Sequence, residues 1–127
     1  MINTVNDSDR AVIAAYIASM QAGPGGLEPL VALFDEDGVY VEPFDRGRIS
    51  VHAGRGEIRA FFEVALAQHL NGVRLTLDRL DMDGDRLRSE WTCEMPGLSS
   101  PMRGFDLVTL RDGRIARLET TVTEFNA

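Results

Sequence analysis

Two carboxylates and a phenol are set among apolar neighbours in ways that could support acid–base chemistry. In the run from Gly38 to Phe44, alternation puts Val39 and Val41 on one strand face and Tyr40, Glu42 and Phe44 on the other. A carboxylate sharing a face with two aromatic rings is either a rim residue in water or a desolvated acid with a raised pKa, and the second kind transfers protons. Asp106 is a lone acid on a strand face otherwise formed by Val108 and Leu110. Placed there without an Arg or Lys beside it, it is pushed toward the neutral form, in which a carboxylic acid can donate a hydrogen bond. Tyr16 carries the one polar tip in the helical stripe Val12, Ile13, Tyr16, Ile17 and Met20. Its simplest reading is a core tyrosine whose hydroxyl finds a partner or the surface.

The elements that position these groups follow from period and punctuation. A first helix is expected from an N-cap at Ser8 to about Gln21, stopped by the Gly23-to-Gly26 breaker. A short second helix spans Leu27 to Phe34 with Leu27, Leu30, Val31 and Phe34 inward. A turn over Asp35 to Gly38 then leads into the Glu42 strand. After the polar loop from Asp45 to Arg48 comes a short strand from Ile49 to Val51. A third helix runs to about Leu70, with Ile58, Phe61, Phe62, Ala65, Leu66 and His69 at helical spacing. His52 reads as a loop residue near a helix start and His69 as a helix-end residue whose protonated ring would suit the dipole.

The second half is a meander of four strands. A phase change near Asp78 and Arg79 predicts a bulge. Asp83-Gly84 and Asp112-Gly113 are hairpin turns, and Leu87, Ser89, Trp91, Cys93 and Met95 share one face. The last strand extends from Arg114 to about Phe125 with Ala116, Leu118, Thr120 and Val122 on its more apolar side. Helices gathered ahead of an antiparallel sheet define an α+β domain, and 127 residues make one domain spanning 1-127.

Composition narrows the function classes. Thirteen basic against 20 acidic residues give a net charge of -7, which disfavours a nucleic-acid partner. No apolar run reaches the eighteen or so residues of a membrane span. The lone Cys93 cannot form an internal disulfide, and the beginning of the chain has neither a basic leader nor an apolar signal core, so a cytoplasmic location is expected. No His or Cys pair stands at ligand spacing, so no metal and no cofactor is expected. The acidic run from Asp81 to Asp85 lacks the spacing and terminal Glu of a calcium loop and reads as a hairpin.

The helix-and-turn sequence from Ala32 to Gly38, the helix opening from Gly54 to Phe62 and the hairpin from Leu110 to Ile115 resemble the nuclear transport factor two-like superfamily, especially its SnoaL-like and ketosteroid-isomerase-like members. The resemblance spans nearly the whole chain. It implies a cone, a strongly curved sheet wrapped around three helices and an internal apolar pocket, commonly with dimerisation through the sheet. It also implies roles. Glu42, directly before Pro43, matches the isomerase base, and Tyr16 and Asp106 match its two oxyanion donors. Proton transfer α to a carbonyl of an apolar cyclic substrate is then the expected reaction. Tyr40, Phe44, Phe61, Phe62, Trp91, Met95 and Val108 would line the pocket. A polyketide-cyclase-like aldol closure needs the same parts. A non-catalytic module that binds an apolar ligand, or a homodimer formed through Phe105, Leu107 and Thr109 on the outer face, is the alternative from another class. Epoxide hydrolysis through Arg88 or Arg103 fits least, because alternation turns Arg88 away from Trp91. Whether Glu42 faces the pocket or pairs with Arg46 or Arg48 separates the enzymatic from the binding reading.

Overall fold

The computed structural model describes residues 4–125. Helix α1 spans Asp7–Gln21, a 3-10 turn covers Gly23–Gly26, α2 spans Leu27–Ala32, and α3, which follows two strands, spans Gly54–Ala67. The strands are β1 Phe34–Asp45, β2 Arg48–Ala53, β3 Arg74–Asp83, β4 Arg86–Glu94, β5 Met102–Arg111 and β6 Arg114–Glu124, joined as one sheet in the order β2-β1-β6-β5-β4-β3. All neighbours run antiparallel except β1 and β6, which are parallel. The α+β reading holds, and the sheet is mostly antiparallel, as expected, with one parallel pair that makes it mixed.

Local chemistry moves several element ends. Asn6, not Ser8, caps α1, its Oδ1 accepting the Asp9 N–H at 2.8 Å. Helix α2 stops at Ala32 and Phe34 opens β1 instead of closing the helix. There the Ile115 N–H donates to the Leu33 carbonyl at 2.8 Å, and the Arg55 guanidinium takes the Phe34 carbonyl at 2.7 and 2.9 Å, so sheet pairing and a side-chain cap claim the carbonyls at the helix end. The stretch from Asp35 to Gly38 accordingly lies within β1. Helix α3 ends at Ala67, which leaves His69 beyond it.

Curvature comes from bulges. The expected one falls between Leu77 and Arg79, and further irregularities lie at Glu42/Asp45 in β1 and Thr109/Leu110 in β5 opposite β6. Each bends a strand and strengthens its twist. The inner face carries Tyr40, Glu42, Leu87, Ser89, Trp91, Cys93, Met102, Asp106, Val108, Ile115, Leu118 and Thr120, all buried. Ile115 replaces Ala116 on that face because Ala116 is the extra residue of the β6 bulge. The outer face is amphipathic, with the Arg88 guanidinium 3.7 Å above the Phe105 ring. Among the described residues no helix is long and apolar enough to cross a membrane.

Candidate functional site

Alternation on β4, β5 and β6 brings Trp91, Asp106 and Thr120 together on the concave side. Asp106 pairs across β5–β6 with Thr120 and across β5–β4 with Ser89, and Trp91 is its diagonal neighbour. Gly104, opposite Trp91, makes the diagonal possible: a Cβ there would fall 2.2 Å from the Thr121 carbonyl oxygen and 2.7 Å from the indole. The indole therefore occupies space that only a glycine leaves open, and Trp91 Nε1 donates to Asp106 Oδ1 at 3.2 Å. Thr120 Oγ1 donates to the same oxygen at 2.8 Å. Among the described residues no donor reaches Oδ2. Burial raises the Asp106 pKa to about 7, against the opposing pull of the Thr120 and Trp91 bonds.

Two phenols extend this cluster. Tyr16 and Tyr40 stand in the same apolar wall as Thr120 and Asp106, and burial drives both tyrosines well above the ordinary phenol range. Residues of α1, β1, β5 and β6 thus meet around one carboxyl.

An apolar chamber of about 40 Å³ opens onto this cluster, with Tyr16, Tyr40, Phe44, Trp91, Asp106 and Thr120 in its wall. It is large enough for the end of a molecule and no more. Phe44, Leu70, Met102 and Thr120 also border a second, outer cavity of about 620 Å³, which reaches Met95, His69 and the β1–β2 turn. The two form an inner chamber and a vestibule. Asp106 is the one carboxyl among the described residues that line either space.

Glu42 sits elsewhere. It is 3% exposed and lines neither cavity. Its Oε1 accepts the Phe44 N–H at 2.7 Å, and its Oε2 lies 2.8 Å from His52 Nε2. The partner is therefore His52, and neither Arg46 nor Arg48. His52 is a β2 residue rather than a loop residue: β1–β2 pairing sets it opposite Tyr40, on whose ring it stacks at 6.0 Å. Of the expected pocket residues, Tyr40, Phe44 and Trp91 line the inner chamber, and Phe44 and Met95 the vestibule. Phe61, Phe62 and Val108 line neither. Phe62 and Val108 are fully buried core, and Phe61 packs on the His52 and Tyr40 rings at 4.8 and 5.4 Å. His69 borders the vestibule near Phe44. Desolvation lowers its pKa, and the Glu42 charge acts in the opposite direction. Burial pushes the Cys93 thiol up to about 11, which keeps it un-ionised in the chamber wall. Among the described residues no group of three or more His, Cys, Asp or Glu side chains is placed to hold a metal ion.

Comparison with known proteins places this architecture. The chain superimposes on a provisionally assigned ketosteroid isomerase from Kribbella flavida with a TM-score of 0.71 and 20% identity, covering 100% of this chain and 84% of that one. An NTF2-like protein of unknown function from Mesorhizobium loti gives 0.75 and 21%, over 98% and 100% of the two chains. A provisionally assigned polyketide cyclase from Sinorhizobium meliloti gives 0.71 and 22%, over 87% and 94%. At such identities these likenesses speak for the cone-shaped NTF2-like fold. No curated protein sequence matches the chain. The sequence profile of the SnoaL-like domain matches residues 5–118, which is nearly the whole chain, and the protein belongs to the SnoaL-like family.

Proposed function

We propose that this protein is an acid–base enzyme that moves a proton at the carbon next to a carbonyl in a small apolar molecule, the step common to isomerase-type and polyketide-cyclase-type chemistry. The observation that carries this reading is Asp106: a buried carboxyl with a pKa of about 7, in the wall of an apolar chamber, with one oxygen left for a ligand. A proton-transfer group works best when its pKa lies near the working pH, because both its forms are then populated.

In the reaction, the carbonyl end of the ligand enters the inner chamber and its body rests in the vestibule. Ionised Asp106 takes the α-proton through Oδ2, and the electron pair moves onto the carbonyl oxygen. Tyr16, in the wall of the same chamber, hydrogen-bonds that oxygen as its charge grows. Neutral Asp106 then returns the proton, to a second carbon in an isomerisation or to the new alkoxide in an aldol closure. Glu42, held by His52 and the Phe44 N–H, braces the Tyr40–Phe44 strand in this scheme.

The test is deuterium exchange at the α-carbon of simple enones and cyclic ketones. Asn at position 106 keeps an Oδ1 that accepts from Trp91 and Thr120, so Asp106→Asn is expected to fold, to bind, and to lose about 10²- to 10⁴-fold in exchange rate. Glu42→Gln is expected to lose less than about tenfold. The reverse ordering would make Glu42 the base and Asp106 an oxyanion donor. No exchange above buffer in any form, with an apolar dye still bound, would mark a binding module.

A further inference from the structure

The vestibule differs in charge from the rest of the molecule. The chain carries 20 acidic and 13 basic residues. Yet the described residues bordering the vestibule include no Asp or Glu, while Arg46 and His69 stand on its rim above apolar walls such as Phe44, Ile49 and Met95. Charged side chains other than Arg46 are thus kept off a surface that a random sampling of this sequence would make acidic.

Arg46 is also conspicuous for its backbone. The turn joining β1 to β2 consists of Arg46 and Gly47, flanked by the pair Asp45 and Arg48, and Arg46 adopts φ 56° with Gly47 at φ 83°. Two-residue turns with positive φ at both positions favour Asn, Asp or Gly at the first, because a longer side chain is strained in the left-handed region. An arginine there sacrifices turn stability and gains a guanidinium at the cavity rim. Among the described residues it has no carboxylate partner: the ion pairs of the protein engage other arginines.

We infer that the ligand of this site is an apolar carbonyl compound bearing a carboxylate at the end remote from its reacting carbonyl, and that Arg46 recognises that carboxylate. The carbonyl end belongs in the inner chamber, which is too small for more. The apolar body fills the vestibule, whose 620 Å³ is in the range of small-molecule sites. The acidic end reaches the one permanent positive charge at the rim, and an acid-free wall spares it repulsion. This substrate class rests on the acid–base reading for the position of the carbonyl, but the recognition of the acidic end can be measured without turnover.

The experiment uses dansylated undecanoic acid and its methyl ester, two fluorescent probes with the same body that differ in charge. At low ionic strength the wild-type protein is expected to bind the acid about 3- to 10-fold more tightly than the ester, and added salt should shrink that preference. Arg46→Asn should bind the two probes equally while melting at or above the wild-type temperature, since Asn tolerates the turn better. Arg46→Lys should retain most of the preference. Equal binding of acid and ester by the wild type, an unchanged preference in Arg46→Asn, or no saturable binding of either probe would each overturn the inference. A preserved acid preference in a protein that never exchanges α-protons would remove the enzymatic reading and leave carboxylate recognition standing.

Discussion

Two carboxylates are buried to nearly the same degree in this cone, Glu42 at 3% and Asp106 at 6% exposure, and their surroundings are opposite. Glu42 has both oxygens engaged, one by a backbone N–H and one by an imidazole that can hold a positive charge against it. Asp106 has two neutral donors on one oxygen, a free second oxygen and an apolar chamber in front of it. Burial alone therefore does not prepare an acid for proton transfer. What matters is whether the fold supplies compensation for the charge, and here it does so for one carboxylate and withholds it from the other.

The contrast can be tested from its largest effect downward. The Asp106 pKa of about 7 in the native state stands well above the ordinary aspartate value of 3.8 that governs the unfolded chain. Between those values the native protein holds a proton that the unfolded chain has released, so stability falls as pH rises from about 4 to about 7 and levels off above. At 1.36 kcal/mol per pH unit this amounts to about 4 kcal/mol. Chemical unfolding of wild type and Asp106→Asn across that range should show the slope in the first and its loss in the second. A wild-type protein with no such slope would mean that Asp106 ionises like an exposed acid.

Next in size is the other carboxylate. His52→Leu leaves the Glu42 charge buried against a single N–H, at an expected cost of about 3 kcal/mol, and Glu42→Gln in the same chain should recover much of it. Additive effects of the two changes would show that the pair is not coupled. The smallest expected effect concerns Thr120→Val, which removes the 2.8 Å donor that favours ionised Asp106. The midpoint of the exchange-rate profile should then move upward from about 7 by about one pH unit, with little change in fold.

Much of the scaffold was legible in the residues. Alternation put Glu42, Trp91 and Asp106 on inward faces, and the phase change at Asp78 and Arg79 marked a real bulge. The partners of the two carboxylates were not legible, and for a common reason. Counted residue for residue from the Arg46-Gly47 turn, Glu42 would face Val51, and His52 would point outward. The irregularity between Glu42 and Asp45, beside a proline that has no N–H to offer the ladder, sets Glu42 opposite Ser50 and turns His52 inward. Counted likewise from Asp112-Gly113, Asp106 would face Glu119. The extra residue at Ala116 brings Thr120 there instead. Each site thus depends on a one-residue insertion whose place is decided by packing across the sheet. The shortness of the polar loop from Asp45 to Arg48, between two strands, was the one available hint that β2 would lie against Glu42.

The parallel pairing of β1 with β6 carries a consequence for how the molecule comes into being. Tyr40 pairs with Leu118, and the Ile115 N–H closes on the Leu33 carbonyl, so the first strand is anchored by the last. The hairpins β3–β4 and β5–β6 can form from local contacts, but the junction that brings Tyr40 to Thr120 must wait for nearly all of the chain. Joining such distant segments makes folding slow relative to a helical protein of this size. During synthesis, the helices and β1 emerge without the strand that covers them, and their apolar faces stay open to other partners until the end. The surroundings of Asp106 are then completed late in folding, and a chain that stops before Thr120 lacks them.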